Sequence, residues 1–134
     1  YGSNLHHAQM KRRCPKCRYI KKHILHGYQL TFRSKYGACD IEKRLGKKVY
    51  GALYIISKCA EKRLDVYEEY PTLYKKIYFN HKGNKVMTYT MVKKTKLVPP
   101  TERYLNIVKQ GYKDCKINIR SLQIALQPVE HLLR

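Results

Sequence analysis

Apolar positions along this chain switch between a two-residue and a roughly four-residue period, and the switches divide it into short strands and helices. Leu5 to Arg13 predicts a short helix with Asn4 near its N-cap and Pro15 as its stop. Ile24 to Phe32 predicts a strand, with Leu25, Tyr28, Leu30 and Phe32 as its apolar content and Gly27 as a bend. The polar stretch Arg33 to Lys47 predicts a loop or an irregular excursion. Val49 to Ile56 is nearly continuous in apolar residues, which predicts a strand buried on both faces.

Ser57 is placed to cap a helix running to about Glu68. Ala60, Leu64 and Glu68 recur at i, i+4 and i+8 and so project from one side. The stripe that docks this helix therefore carries a carboxylate at its far end. Carboxylates on core-facing stripes are uncommon, because burying the charge is costly unless it is hydrogen-bonded or used. Tyr74 to Phe79 and Lys85 to Val92 predict two strands joined by a hairpin loop over residues 80–84, with Met87, Tyr89 and Met91 on one face. Pro99 and Pro100 introduce a helix from about Thr101 to Gln110, with Tyr104, Ile107 and Val108 as its stripe and Gly111 as its C-terminal cap. A last helix, roughly Ile119 to Gln127, should stop at Pro128. Interspersed strands and helices with an antiparallel hairpin predict an α+β domain.

At 134 residues the chain has the size of one domain, 1–134, and no apolar run approaches the roughly 18–20 residues needed to span a bilayer. It opens at Tyr1 rather than at a methionine, within a motif, so a preceding strand is expected upstream. Five cysteines (Cys14, Cys17, Cys39, Cys59 and Cys115) show no disulfide framework, which suggests a reducing, cytoplasmic setting. The formal net charge is +20, from 29 Lys and Arg against 9 Asp and Glu. Such a balance attracts nucleic acid, but the lysines are scattered in ones and twos, as on a solvated surface. The run Lys11-Arg12-Arg13 with Lys16, Arg18, Lys21 and Lys22 is the best candidate for a phosphate-binding patch.

Tyr1-Gly2-Ser3-Asn4-Leu5 is a small-residue loop whose backbone amides can close around an anion, and Glu68 is a lone inward carboxylate. Together they make a workable catalytic pair. Cys14-Pro-Lys-Cys17 with His23 and His26 supplies four possible zinc ligands, but five residues between Cys17 and His23 are too few for the usual finger, and a strand through Ile24 would point the two histidines apart. No metal and no cofactor is expected.

The order of these pieces resembles the gamma-glutamylcyclotransferase family. The matching segments are Tyr1-Gly2-Ser3-Asn4-Leu5, Gly46 to Tyr54, Leu64-Asp65-Val66-Tyr67-Glu68, Tyr74, Tyr89 within Met-Thr-Tyr-Thr-Met, and Pro100 to Tyr104 closing at Gly111. The resemblance implies a small mixed or antiparallel β-barrel flanked by short helices, with its pocket at the opening loop. It implies conversion of a γ-glutamyl compound to 5-oxoproline by attack of the substrate's own α-amine. Glu68 matches the catalytic glutamate, and Tyr1, Gly2 and Ser3 match the substrate-binding loop, with Asn4 adjoining. Tyr89 matches a pocket tyrosine, and Tyr74 and Tyr104 are further candidates for which core packing is an equal reading. One position departs from the pattern: many relatives have glycine after the glutamate, where this chain has Glu69. The alternative function is a non-catalytic module on the same fold, holding nucleic acid or another anionic partner through its basic surface.

Overall fold

A computed structural model describes residues 1–132. A 3-10 turn (Gly2–Leu5) leads into helix α1 (His7–Arg13). Two long strands follow, β1 (Arg18–Arg33) and β2 (Ala38–Ile55), then helix α2 (Lys58–Tyr67). A second hairpin of β3 (Tyr74–His81) and β4 (Asn84–Met91) precedes helices α3 (Glu102–Asp114) and α4 (Arg120–Glu130). The architecture is α+β, as expected. The strands form two separate two-stranded antiparallel sheets, β1–β2 and β3–β4, rather than a closed barrel.

The first hairpin departs most from the expectation. Residues 38–47, predicted as a loop, belong to β2. Cys39 and Ile41 are buried, Asp40 between them is fully buried and hydrogen-bonded, and the charged residues from Lys43 onward face solvent. Local polarity therefore hides a strand whose inward positions are set by its neighbours. Gly27 does mark the irregularity: pairing passes from His26↔Lys48 to Tyr28↔Lys43, so Gly27 alone on β1 opposes residues 44–47 on β2. Gly27 (φ 81°) and Gly46 (φ 80°) both adopt the left-handed backbone that this bulge requires. The apolar run from Val49 is only partly buried rather than enclosed on both faces. Val49 is covered, Tyr50 to Tyr54 are partly covered, and Ile55 is exposed.

Ser57 caps α2 as predicted, its side chain accepting from Ala60 N at 3.0 Å, and Ala60 and Leu64 are buried. The β3–β4 turn is shorter than expected. His81 pairs with Asn84, leaving Lys82 and Gly83, both at positive φ, as the tight turn. Gly111 is not a cap but lies inside α3. A Cβ there would approach Leu5 Cβ to 2.6 Å and His6 N to 2.7 Å, so glycine is what lets α3 press against the 3-10 turn. Pro128 likewise sits within α4 near its end, where the buried Leu122, Leu126 and Val129 hold the last turn in place.

Two apolar clusters result. One joins α3 and α4 to the β1–β2 sheet through Phe32, Cys39, Leu105, Val108, Tyr112, Leu122 and Val129. The other joins α1 and α2 to the second sheet through Met10, Cys14, Ala60, Leu64, Tyr74, Tyr89 and Met91. Leu5 belongs to the first cluster and Met10 to the second, so the 3-10 turn and α1 lie across the seam between them. Asp40 ties β2 to the second sheet, accepting from Met91 N at 2.8 Å and from Lys94 Nζ at 2.7 Å.

Candidate active site

The opening loop is a 3-10 turn, and the N-cap of α1 is His6, whose Nδ1 accepts from Gln9 N at 3.1 Å. Asn4 is thus released from capping. Gly2 has φ 63° and packs so closely on β2 that a Cβ would lie 3.0 Å from Cys39 Cβ, so neither its backbone nor its surroundings suit a side chain. Leu5, fully buried against α3, anchors the other end of the turn.

Glu68 closes α2 as its C-cap residue, one position beyond the last helical turn, with its backbone N donating to Leu64 O at 2.9 Å. Its side chain turns inward, and Oε1 accepts from Asn4 Nδ2 at 3.0 Å. Burial pushes the carboxyl above its ordinary value, while the Asn4 amide and the Arg13 guanidinium pull it partly back. Glu69 has φ 52° and is exposed, and it does not line the cleft. Glycine adopts that backbone freely, whereas a residue with a Cβ is strained there.

Tyr1, Gly2, Ser3, Asn4, Glu68, Tyr74, Tyr89 and Tyr104, the residues nominated for catalysis and substrate binding, line one cleft together with Cys39 and Thr88. Its empty volume is about 320 Å³, including the part open to solvent. The four tyrosines are not equivalent within it. The Tyr1 hydroxyl donates to Tyr89 O at 2.8 Å, Tyr74 donates to Cys39 O at 2.6 Å, and Tyr89 donates to Asp65 Oδ1 at 2.5 Å. Tyr104 instead accepts from Cys39 N at 3.0 Å, so its own proton is not used in that bond. Burial pushes the hydroxyls of Tyr1, Tyr74, Tyr89 and Tyr104 up, keeping them protonated at neutral pH.

Three supporting residues were not found from the sequence. Asp65, one turn before Glu68, accepts a hydrogen bond from the Tyr89 hydroxyl and pairs with Lys76 at 2.9 Å, which also reaches Glu61 at 2.6 Å. Cys39 holds Tyr74 and Tyr104 through its backbone, while burial pushes its own thiol up to about 12, leaving it a wall rather than a nucleophile. Arg13 lies behind the turn and bonds Asn4 Oδ1 at 2.6 Å and Ser3 Oγ at 3.2 Å. The sequence shows Arg13 only as part of a basic run, since its partners are made by the fold.

The other nominated features lie elsewhere. The Cys14 and Cys17 thiols point at the carbonyls of Ala60 (3.4 Å) and Met10 (3.9 Å), and burial pushes both thiols up. His23 stacks on Phe79, with the His81 ring 4.6 Å away. Among the described residues no group of three or more His, Cys, Asp or Glu is disposed to hold a metal, and all five cysteines are free. Among the same residues no helix is long and apolar enough to cross a membrane.

The family model for gamma-glutamyl cyclotransferase, AIG2-like proteins matches residues 1–112. Among solved structures, an uncharacterized protein from Homo sapiens superposes with a TM-score of 0.78 at 22% identity, over 93% of this chain and 82% of that one. A structure of a gamma-glutamyl cyclotransferase gives 0.76 at 20% identity, again over 93% and 82%. YkqA from Bacillus subtilis gives 0.67 at 20% identity, over 84% of this chain and 46% of its own. At these identities the superpositions show a shared fold. No curated protein matches the chain by sequence search.

Proposed function

The chain belongs to the gamma-glutamyl cyclotransferase, AIG2-like family, and from that premise we propose that it converts a γ-glutamyl amino acid or γ-glutamyl amine to 5-oxoproline and the free amine, with Glu68 as acid and base in turn. The observation that carries the proposal is the inward Glu68 carboxyl, bonded to Asn4 in the same cleft as the Tyr1–Asn4 turn.

The reaction needs no external nucleophile and no cofactor. Ionised Glu68 takes a proton from the substrate's α-ammonium. The freed amine attacks the γ-carbonyl carbon, so that a ring C–N bond forms and the carbonyl oxygen becomes an oxyanion. When the tetrahedral centre collapses, the γ C–N bond breaks and Glu68 returns its proton to the leaving nitrogen, while the ring nitrogen gives up its second proton to the released amine, which leaves as an ammonium. A carboxyl raised by burial suits a group that must both accept and give a proton near neutrality. Because the attack is intramolecular, holding the substrate folded supplies much of the acceleration. The turn residues Tyr1, Gly2, Ser3 and Asn4 grip the substrate's anionic groups. Tyr104, with its proton uncommitted by the Cys39 bond, is the hydroxyl best placed to donate to the oxyanion. Tyr74 and Tyr89 shape the wall, and Tyr89 presents oxygen lone pairs because its proton is held by Asp65. Five free cysteines suit a reducing, cytoplasmic setting for this reaction.

The net charge of +20 is the observation that favours the second reading, a module binding nucleic acid or another anionic partner. That reading fits a site closed off by a Glu68–lysine pair and a filled cleft. Here Glu68 bonds Asn4, none of the ion pairs among the described residues includes it, and the cleft is open. Screening γ-glutamyl compounds with amino-acid, lysine-side-chain and simple amine leaving groups for released 5-oxoproline tests the enzyme directly. No release from any of them, combined with tight nucleic-acid binding at physiological salt, would transfer the assignment to the binding module.

A further inference from the structure

Arg13 carries donors only, and its Nη1 donates to Asn4 Oδ1 at 2.6 Å and to Ser3 Oγ at 3.2 Å. Its Nη2 donates to Gln9 Oε1 at 3.3 Å and to the Tyr67 hydroxyl, and its guanidinium lies 3.5 Å from the centroid of the Tyr67 ring. Four acceptors from the turn, α1 and α2 therefore fix it. Which end of an asparagine amide points where is decided by its partners. Since Arg13 cannot accept, the Asn4 oxygen must face it, and Asn4 Nδ2 is left facing Glu68 Oε1 at 3.0 Å. An amide N–H can only donate, and it donates best to an ionised carboxylate.

We propose that Arg13 is a positioning residue for Glu68: it locks the Asn4 amide with its nitrogen toward the carboxyl, and so holds ready the form of Glu68 that accepts the substrate's proton. Without the guanidinium the amide can rotate by half a turn and present its oxygen, which a protonated carboxyl satisfies and a carboxylate does not. Arg13 thereby opposes the burial that favours the protonated form. The titratable side chains facing Glu68 are Tyr1, Arg13, Cys39, Tyr74 and Tyr89. The three tyrosine hydroxyls and the Cys39 thiol are pushed up by burial and stay neutral, so Arg13 is the cationic side chain among them. Arg13 is not among the residues lining the cleft, which separates this role from a grip on the substrate.

The inference rests on Glu68 being the proton carrier, and its test is chosen to stand apart from turnover. Glu68 is titrated by carboxyl carbon NMR in the folded, substrate-free protein, in the wild type and in Arg13→Met, whose side chain keeps much of the bulk without donors. The expected result is a Glu68 midpoint at higher pH in Arg13→Met. With any substrate that is turned over, the acidic limb of the kcat profile should move the same way, and activity lost at neutral pH should return at higher pH. An unmoved Glu68 midpoint would overturn the role, whatever happens to the melting temperature. Should Arg13→Met fail to fold, Asn4→Leu removes the amide through which Arg13 acts. It too should raise the midpoint, and an unchanged value there also overturns the relay. If no γ-glutamyl compound is turned over, the proposed reaction fails while the NMR titration still decides the role of Arg13.

Discussion

The backbone N–H of Cys39 donates to the Tyr104 hydroxyl at 3.0 Å, and this bond distinguishes Tyr104 from the other tyrosines of the cleft. The hydroxyls of Tyr1, Tyr74 and Tyr89 donate hydrogen bonds to Tyr89 O, Cys39 O and Asp65 Oδ1. Tyr104 accepts a hydrogen bond from the backbone instead, and its own proton is not used in that bond.

Tyr104→Phe should therefore lower kcat by about 10²–10³, the usual loss when one donor to a developing oxyanion is removed. Tyr74→Phe should keep most turnover in the folded protein. Each variant leaves one buried backbone group of Cys39 without its partner, so both should lose on the order of 1–3 kcal/mol of stability. Denaturant melts paired with kcat on the folded fraction separate the two effects. A Tyr74→Phe enzyme slower than Tyr104→Phe would reverse the assignment.

Glu68→Gln should lose roughly 10²–10⁴ in rate, because glutamine keeps the size and accepts from Asn4 but carries no proton between nitrogens. Glu69→Gln should retain most activity, since Glu69 faces solvent outside the cleft. Glu69→Gly should also keep activity and stabilise the fold by up to about 1 kcal/mol, because relief of left-handed strain outweighs the added freedom of the unfolded chain. A dead Glu69→Gln beside an active Glu68→Gln would shift the catalytic position by one.

Burial raises Glu68 above the ordinary carboxyl value of 4.5, so the folded state holds this proton more tightly than the unfolded chain does. Stability from this group is therefore fully present below about pH 4.5 and is lost as pH rises through the folded value. Glu68→Gln removes that loss. The melting temperature of the variant relative to wild type should be higher at pH 8 than at pH 4, with other charges cancelling in the comparison. A difference that is flat, or of opposite slope, would mean the carboxyl is not held above its ordinary range.

Gly111→Ala should destabilise the protein by about 1–3 kcal/mol, as overpacking against backbone does. The added methyl meets Leu5 and His6 rather than a flexible side-chain end. Since Leu5 anchors the 3-10 turn, activity should fall in the folded protein as well. Ala52→Gly on β2, away from this contact, is the control for simple loss of stability. Full activity in a stable Gly111→Ala protein would show that α3 does not position the turn.

Much of the site was legible in the sequence because its signals are local. The cap at Ser57 and the spacing of Ala60, Leu64 and Glu68 concern one helix, and they place Glu68 inward with no knowledge of what it meets. The period-two pattern of Met87, Tyr89 and Met91 likewise needs only one strand. The errors arose where a distant segment outvoted local preference. Residues 38–47 look like a loop until β1 pairs with them, Gly111 looks like a cap until Leu5 is brought against it, and Pro128 looks like a stop until the packing of α4 carries the helix past it.

By itself the sequence determined the alternation of strands and helices, the inward carboxylate at the end of α2, and an opening motif whose order with later segments marks the family. Periodicity, turn chemistry and residue type are properties of short stretches and survive being read in one dimension. Only the tertiary structure decided how protons are distributed among the gathered groups. It aimed the Tyr89 hydroxyl at Asp65, made Tyr104 an acceptor from the Cys39 backbone, and turned Asn4 between Arg13 and Glu68. Hydrogen-bond direction depends on which donors and acceptors meet at about 3 Å, and residues 64 positions apart, such as Asn4 and Glu68, meet only when the chain has folded.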